Sequence, residues 1–265
     1  MATSKITANI SCTGSINGEN VGRKYFEAWL RRCRKPRGIA SEIPAVCRKL
    51  ATGSVRTRGG GILAEYERLL TKSDGGRLFK VIGFPLAHID GTLPFNETKN
   101  PLCSSVLPVN QKFVGQYAIR PHFQHAKTIN KVCARYDTLF RSQDLPFPHI
   151  IKIDVQGFES RVLQGFGALL HQCLAIELEA HFYPLYEGQK LLHDIVDYLS
   201  DYNMVLRKLS NHRSSDLNGD KHFDLDLVEV DAVFTKTRAW AASAALDDRS
   251  RLNFACNVVG VAANR

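Results

Sequence analysis

The sequence predicts an α/β fold built on a mostly parallel sheet whose last strand is antiparallel. Between residues 149 and 204, apolar runs of strand length alternate with amphipathic helical segments, an order typical of parallel strands covered by helices on both faces. The last two expected strands, 204–210 and 227–236, have only a polar loop between them, which favours antiparallel pairing. Apolar residues make up 44% of the chain and charged residues 23%, a balance that excludes wholesale disorder.

The first half of the chain has the weaker patterns. Helices are expected over 21–35, which ends before Pro36, and over 62–72, because apolar residues recur in both at helical spacing. Strands are expected where apolar runs of strand length occur, at 77–87, at 92–98 and at the start of 127–140. Residues 100–110 form a loop that is punctuated by two prolines.

The second half is patterned more clearly. Residues 149–155 and 173–180 are apolar runs of strand length, and 158–172 between them has helical spacing. Residues 188–202 form an amphipathic helix, with one apolar face made by Leu191, Leu192, Ile195, Val196 and Leu199. The final segment, 238–265, is rich in alanine and only weakly patterned, and we assign no element to it.

Charge divides the chain into segments. Residues 1–60 hold 12 basic side chains against three acidic ones, which accounts for the whole net charge of +9. We therefore expect a basic, weakly structured segment over 1–61, a folded domain over 62–237 and a C-terminal tail over 238–265. This basic segment, called the basic arm below, suits anionic partners such as RNA or phospholipid. The alternative interpretation is that the arm is only solvated and binds no partner.

Several functional classes are excluded by what the sequence lacks. No apolar run approaches the length of a membrane span, and the first 30 residues lack the pattern of a secretory signal. The seven cysteines have no zinc-ligand spacing and suit a reducing compartment, so we expect a cytoplasmic location. Serine hydrolysis is not expected either, because no G-x-S-x-G elbow is present.

Acidic residues follow a buried strand in the segment IKIDVQGFE. Asp154 ends the expected strand, Gly157 opens the next helix, and Glu159 lies in the first helical turn. Ligands of open parallel sheets bind beyond the carboxyl ends of the strands, and glycine lets the backbone approach a ligand closely. The alternative is that Asp154 and Glu159 only cap the helix.

A second acidic pair lies in the segment IELEAHFYPLYEGQ. Glu177 and Glu179 are two residues apart on a strand, so both point to the same face of the sheet. Burying two carboxylates is costly unless they bind something; the alternatives are a solvent-facing sheet or pairing with a buried arginine. His181 could join them as a metal ligand, but nothing in the sequence demands a metal, and none is predicted.

Six segments together resemble the FkbM-type methyltransferases, which are S-adenosylmethionine-dependent enzymes with a Rossmann-like class I sheet. They are AEYERLL, PLAHIDGTLPFNETKNPLCSS, RYDTLF, HIIKIDVQGFESRVLQG, IELEAHFYPLYEGQ and VEVDAVF. Their order and spacing fit the family over about 62–237, roughly two thirds of the chain. The resemblance implies the same sheet, either complete or incomplete at its N-terminal end.

The family's opening glycine loop, D-x-G-A-N-x-G, has one candidate here, the segment CTGSING. Gly14 and Gly18 have the family's spacing, with Cys12 in place of the aspartate, and Glu42 follows 28 residues after Gly14 as the acid for the ribose hydroxyls. The alternative is a truncated or replaced N-terminus. A third possibility, a phosphate loop at Gly59–Gly61, follows basic residues rather than a strand.

The resemblance also implies roles for individual residues. The cofactor S-adenosylmethionine would contact Gly14, Gly18, Glu42, Ala87, His88, Gln156 and Gly157. Asp154 and Glu179 would be the catalytic carboxylates, and Thr98, Ser105 and Tyr186 would line the acceptor pocket. The expected reaction is O-methylation of a hydroxylated small molecule or sugar, in which the enzyme mainly aligns two reactants and a carboxylate accepts a proton.

Two functions therefore compete. The first is the methyltransferase, and the second is a catalytically inactive or truncated methyltransferase-like protein whose basic arm binds an anionic partner. The sequence identifies neither the methyl acceptor nor the oligomeric state.

Overall fold

The computed structural model describes residues 85–142, 145, 147–215 and 226–262, together with two short strands at 7–8 and 45–49. Several expected features lie outside these residues: the helices over 21–35 and 62–72, the glycines 59–61, and the strand 77–87 before residue 85.

The described residues contain eight strands, which form two sheets. The strands are β1 (Thr7–Ala8), β2 (Ala45–Lys49), β3 (Gly91–Thr98), β4 (His125–Cys133), β5 (Ile150–Asp154), β6 (Ala175–His181), β7 (Met204–Ser215) and β8 (Asp226–Lys236). Six of them form one mixed sheet in the order β1-β2-β5-β6-β8-β7, and β3 pairs with β4 in a two-stranded antiparallel sheet. In the mixed sheet, β1 pairs with β2, β2 with β5 and β5 with β6, all in parallel. Strand β8 is antiparallel to both of its neighbours, β6 and β7. The α/β class and the antiparallel pairing of the last two strands are confirmed.

The α-helices are α1 (Gln111–Val114), α2 (Tyr136–Ser142), α3 (Glu159–Phe166), α4 (Leu192–Ser200), α5 (Arg238–Ser243) and α6 (Leu246–Val258). Short 3-10 turns occur at Pro101–Cys103, Arg120–Phe123 and Gly167–His171. The expected helix over 158–172 is thus an α-helix followed by a 3-10 turn that starts at Gly167, whose φ is +52°. Glycine adopts this left-handed conformation without a Cβ clash, so the α-helix ends there.

Alternation along the strands gives the large sheet one apolar face and one face on which polar residues are concentrated, called the polar face below. Ile151 and Ile153 of β5 belong to the main core with Leu178 of β6, and helices α3 and α4 cover that side. The opposite face carries Ile150, Ala175 and Val233 together with a group of polar positions: Lys152, Asp154, Glu177, Glu179, His181, Glu229 and Asp231. Every residue of β6 is buried, including its two glutamates and its histidine. The candidate site lies on this polar face.

The C-terminal segment, for which no element was predicted, contains two helices. Thr237 caps α5 by accepting a hydrogen bond from the backbone N–H of Trp240 at 3.1 Å. The longer helix α6 packs against β6 and β8 and buries Leu252, Ala255 and Cys256. Its apolar residues recur too irregularly for an amphipathic pattern, because several small side chains share its surface with charged ones.

The antiparallel sheet of β3 and β4 contributes Phe95 and Cys133 to the main core. The segments that flank its two strands are joined by a bridge and by the guanidinium of Arg135, which also donates to the Gln164 carbonyl of helix α3 at 3.3 Å. Ala87 N–H donates to the Ala134 carbonyl at 2.9 Å. Arg135 donates to the His88 carbonyl at 2.7 Å and pairs with Asp137 at 2.7 Å. This arrangement places the end of the expected strand 77–87 beside helix α3. Among the described residues, none of the helices has both the length and the apolar character needed to cross a membrane.

Candidate functional site

The turn after β5 is fixed by a buried carboxylate. Val155 N–H and Gly157 N–H both donate to Oε1 of Glu159, at 3.0 and 3.3 Å. Burial raises the pKa of Glu159 to about 7, although the positive charge of His181 and the backbone donors oppose the rise. Glu159 therefore holds the turn that follows Asp154, while the helix itself begins after Phe158 with no side-chain cap hydrogen bond.

Gln156 connects this turn to its surroundings through its side chain and its backbone. Its φ is +56°, unusual for a residue with a Cβ. Its side-chain amide donates to Oε2 of Glu179 at 2.7 Å, and its backbone carbonyl accepts from Oγ of Ser105 at 2.7 Å. The Tyr186 hydroxyl lies 3.2 Å from its Oε1 and 2.9 Å from the Cys103 carbonyl. The network thus joins four predicted site residues, Ser105, Gln156, Glu179 and Tyr186.

Gly157 is required for packing. Its φ is +86°, and a Cβ at this position would lie 2.6 Å from the Tyr186 ring and 3.1 Å from the amide carbon of Gln189. Gln189 in turn accepts from Tyr186 N–H at 3.1 Å, while its Nε2 is buried without a hydrogen-bond partner. The close approach expected of a ligand at Gly157 is thus made, on this side, by the protein's own side chains.

The two glutamates of β6 have different partners. Glu177 pairs with Lys152 across the parallel strands, with 2.6 Å between Nζ and Oε1. Burial alone would lower the pKa of Lys152, but the charge of Glu177 prevails and raises it. One expectation was that a buried arginine pairs with one of the two glutamates. The partner of Glu177 is instead a lysine. Glu179, 3% exposed, lies two residues nearer the strand end and contacts Gln156.

His181 continues the polar face and meets a residue that the sequence analysis did not select. Its Nε2 lies 3.3 Å from Oε2 of Glu229, the residue paired with it on β8. Burial lowers the pKa of His181, but Glu229 and Glu179 raise it, and the net shift is upward. The sequence held one signal for Glu229. If β6 and β8 are paired antiparallel, the register that the structure shows places Glu229 directly opposite His181.

Thr98 and Ser105, predicted for the acceptor pocket, are both buried. Thr98 donates from Oγ1 to the Asn100 carbonyl at 2.6 Å, and its N–H donates to Oγ of Ser104 at 3.0 Å. Ser105 donates to Gln156 and accepts from Leu107 N–H. Ser105 therefore belongs to the Gln156 network, whereas Thr98 stabilises the adjoining loop.

Ala87 and His88, predicted for the adenine, lie beside helix α3. Ala87 packs under Gly165, and the His88 ring contacts the edge of Phe158 with centroids 5.9 Å apart. Burial, with the charges of Arg161 and Arg135, lowers the pKa of His88, and its Nδ1 is buried without a hydrogen-bond partner. His88 is thus a neutral ring close to the residue that follows Gly157.

The predicted glycine-loop residues, Gly14 and Gly18, and the predicted ribose ligand Glu42 lie outside the described residues. The strands beside them are described: β1 precedes the glycines in sequence, and β2 begins three residues after Glu42. Strand β2 pairs in parallel with β5, with Lys49 opposite Asp154. The roles of these three residues stay predictions.

Residues 103–206 match the family model of the methyltransferase FkbM domain. The resemblance to the FkbM methyltransferases is confirmed over this segment, which contains Asp154, Gln156, Glu179 and Tyr186. No protein with a curated description matches the chain.

A structural match is found in the crystal structure of methyltransferase FkbM from Methylobacillus flagellatus KT, with 12% sequence identity and a TM-score of 0.43. The match covers 88% of this chain and 44% of that one, so this chain spans less than half the length of the solved FkbM methyltransferase.

Proposed function

We propose that the protein is an S-adenosylmethionine-dependent methyltransferase with a Rossmann-like class I sheet, acting in the cytoplasm on a hydroxyl group of a small molecule or sugar. The observation that carries the proposal is the FkbM domain match over residues 103–206. Within it, Asp154 ends a parallel strand one residue before Val155, whose N–H is held by Glu159. Carboxyl ends of parallel strands are where open α/β sheets bind ligands.

Two polar atoms near this strand end fit a nucleoside ligand. His88 Nδ1 and Gln189 Nε2 are buried without a hydrogen-bond partner, and buried polar groups normally have one. His88 lies by Phe158 and Gln189 by Gly157, so the two flank the turn that follows Asp154. A neutral imidazole and a primary amide can hydrogen-bond the edges of an adenine or the hydroxyls of a ribose.

The cofactor, when bound, supplies an electrophilic methyl group on a positively charged sulfur. The residues of this chain position the acceptor oxygen and take its proton. Asp154 is the proposed proton acceptor, because its carboxylate stands at the strand end. Glu179 is held by the amide of Gln156 at 2.7 Å and fixes that side of the acceptor pocket. Tyr186 and Ser105 hold Gln156 in turn, so alignment depends on the whole network.

Calorimetry of the full chain with S-adenosylmethionine, and with its demethylated product, tests the proposal. We expect saturable binding that His88→Phe weakens, because Nδ1 of His88 is proposed to hydrogen-bond the nucleoside, and that the exposed change His122→Phe leaves unaltered. A folded protein that binds neither ligand at millimolar concentration contradicts the enzymatic function. Filter binding to RNA at two salt concentrations then tests the alternative, a methyltransferase-like protein whose basic arm binds an anion, since phosphate contacts weaken steeply with salt.

A further inference from the structure

Three potential metal ligands converge on the polar face of the sheet. Glu179 and His181 are two residues apart on β6 and so share a face, and Glu229 is the register partner of His181 on β8. One ligand atom from each of the three lies within 4.8 Å of the other two. All three residues come from paired strands, which hold ligands more rigidly than loops do.

The hydrogen bonding of His181 points to a ligand. The residue is 1% exposed, yet neither ring nitrogen has a hydrogen-bond partner of acceptable geometry. Its Nε2 is 3.3 Å from Oε2 of Glu229, longer than the roughly 2.7–2.9 Å of a charge-assisted hydrogen bond. Two ligand atoms that are each about 2.1 Å from one ion lie about 3.0 Å apart in an octahedral site and about 3.4 Å apart in a tetrahedral one. The spacing and poor alignment therefore suit two ligands of a common cation better than a donor and its acceptor.

We infer that Glu179, His181 and Glu229 bind a divalent metal ion. Two carboxylates and one imidazole form a mixed set of oxygen and nitrogen ligands, which suits Mn²⁺ and admits Zn²⁺ or Fe²⁺, whereas Mg²⁺ prefers oxygen alone. Glu179 can ligate while it accepts the hydrogen bond from Gln156, because a carboxylate has about four lone-pair sites. Gln156 then acts as an outer-shell residue that orients a ligand.

Binding of Mn²⁺ to the full chain, after removal of metals with a chelator, tests the site without reference to methyl transfer. The signal of free Mn²⁺ in electron paramagnetic resonance measures binding, and we expect one equivalent to bind saturably. Glu229→Gln and His181→Gln keep the side-chain volume and should weaken binding by more than the roughly 10- to 100-fold typical of outer-shell changes. Gln156→Leu should weaken it within that range.

Glu177→Gln is the matched control, because Glu177 is a buried glutamate on the same face of the same strand and pairs with Lys152 instead. It should bind Mn²⁺ like the unmodified protein, and Glu187→Gln controls for the loss of a surface carboxylate. If a buried variant does not fold, the position of the site can be measured in the unmodified protein, from the nuclear magnetic resonance signals that bound Mn²⁺ broadens. Mn²⁺ should broaden the amide resonances of residues 179–181 and 229 before those of β3 and β4.

Two results would overturn the inference. One is the failure of the folded, metal-free protein to bind either Mn²⁺ or Zn²⁺. The other is binding that Glu229→Gln leaves unchanged, or broadening that begins elsewhere in the chain, which would make His181 and Glu229 a structural ion pair only. Neither result bears on cofactor binding, which calorimetry measures separately.

Discussion

The side-chain amide of Gln156 donates a 2.7 Å hydrogen bond to Oε2 of Glu179, and this contact joins the turn after β5 to the neighbouring strand β6. The two residues are 23 positions apart in the chain; Gln156 is half-buried and Glu179 is buried. Because the same amide also faces the Tyr186 hydroxyl at 3.2 Å, its orientation is determined from two sides. The geometry of the candidate site therefore depends on one glutamine.

Gln156→Ala should lower the free energy of unfolding by about 2–3 kcal/mol, because Glu179 loses a donor and the Tyr186 hydroxyl loses an acceptor in a buried place. Alanine at a φ of +56° leaves the backbone strain of the unmodified protein unchanged. Gln156→Gly loses the same hydrogen bonds but relieves the strain, so it should recover about 1 kcal/mol. Urea denaturation measures both. Gln116→Ala, in which an exposed amide contact is lost, should change stability by less than about 0.5 kcal/mol; equal losses at 116 and 156 would contradict the role of the network.

Glu159→Gln should raise the free energy of unfolding above neutral pH. Burial raises the pKa of Glu159 from 4.5 to about 7, so ionising it costs folding energy that is absent below pH 4.5 and complete above pH 7. The glutamine keeps an oxygen for Val155 and Gly157 N–H but carries no charge. The expected gain is near zero at pH 4 and on the order of 3 kcal/mol at pH 8.

Denaturation of Glu159→Gln across this pH range gives the measurement, with Glu187→Gln as the control for losing one surface carboxylate. A constant difference between the Glu159→Gln variant and the unmodified protein at every pH would mean that Glu159 is not the titrating group.

Lys236→Met should destabilise the fold by roughly 2–5 kcal/mol. The ammonium group of Lys236 is fully buried and donates to the carbonyls of Leu170, His171 and Tyr202, at 3.2, 2.8 and 2.6 Å. Methionine fills a similar volume but leaves these carbonyls without this donor. Thermal melting compares it with Lys208→Met, an exposed change on the adjacent strand, and a loss no larger than that of the control would refute the bracing role of Lys236.

Gly165→Ala should cost at least about 2–3 kcal/mol, because overpacking against backbone cannot be relieved by a side-chain rotation. A Cβ on Gly165 would lie 2.0 Å from the Ala87 carbonyl oxygen and 3.0 Å from its carbon. Arg161→Ala, on the exposed side of the same helix, is the matched control and should stay within about 0.5 kcal/mol. A stable Gly165→Ala variant would show that α3 can move away from Ala87.

Elements whose pattern is local are predictable from the sequence. Strand β6 and helix α4 were expected at 173–180 and 188–202 and occur at Ala175–His181 and Leu192–Ser200, since period and length are properties of a short window. Helices α5 and α6 were not expected, because their small and apolar residues do not recur at helical spacing. Helix α6 packs against β6 and β8, and α5 packs against α6.

The sequence by itself determined the α/β class, the resemblance carried by IKIDVQGFE and IELEAHFYPLYEGQ, and the shared face of Glu177 and Glu179. Only the tertiary structure decided that these glutamates divide, with Glu177 paired to Lys152 and Glu179 bonded to Gln156. It also brought Glu229 to His181. The physical reason is register: a strand fixes which side chains share a face, but the pairing of distant strands fixes which charges meet.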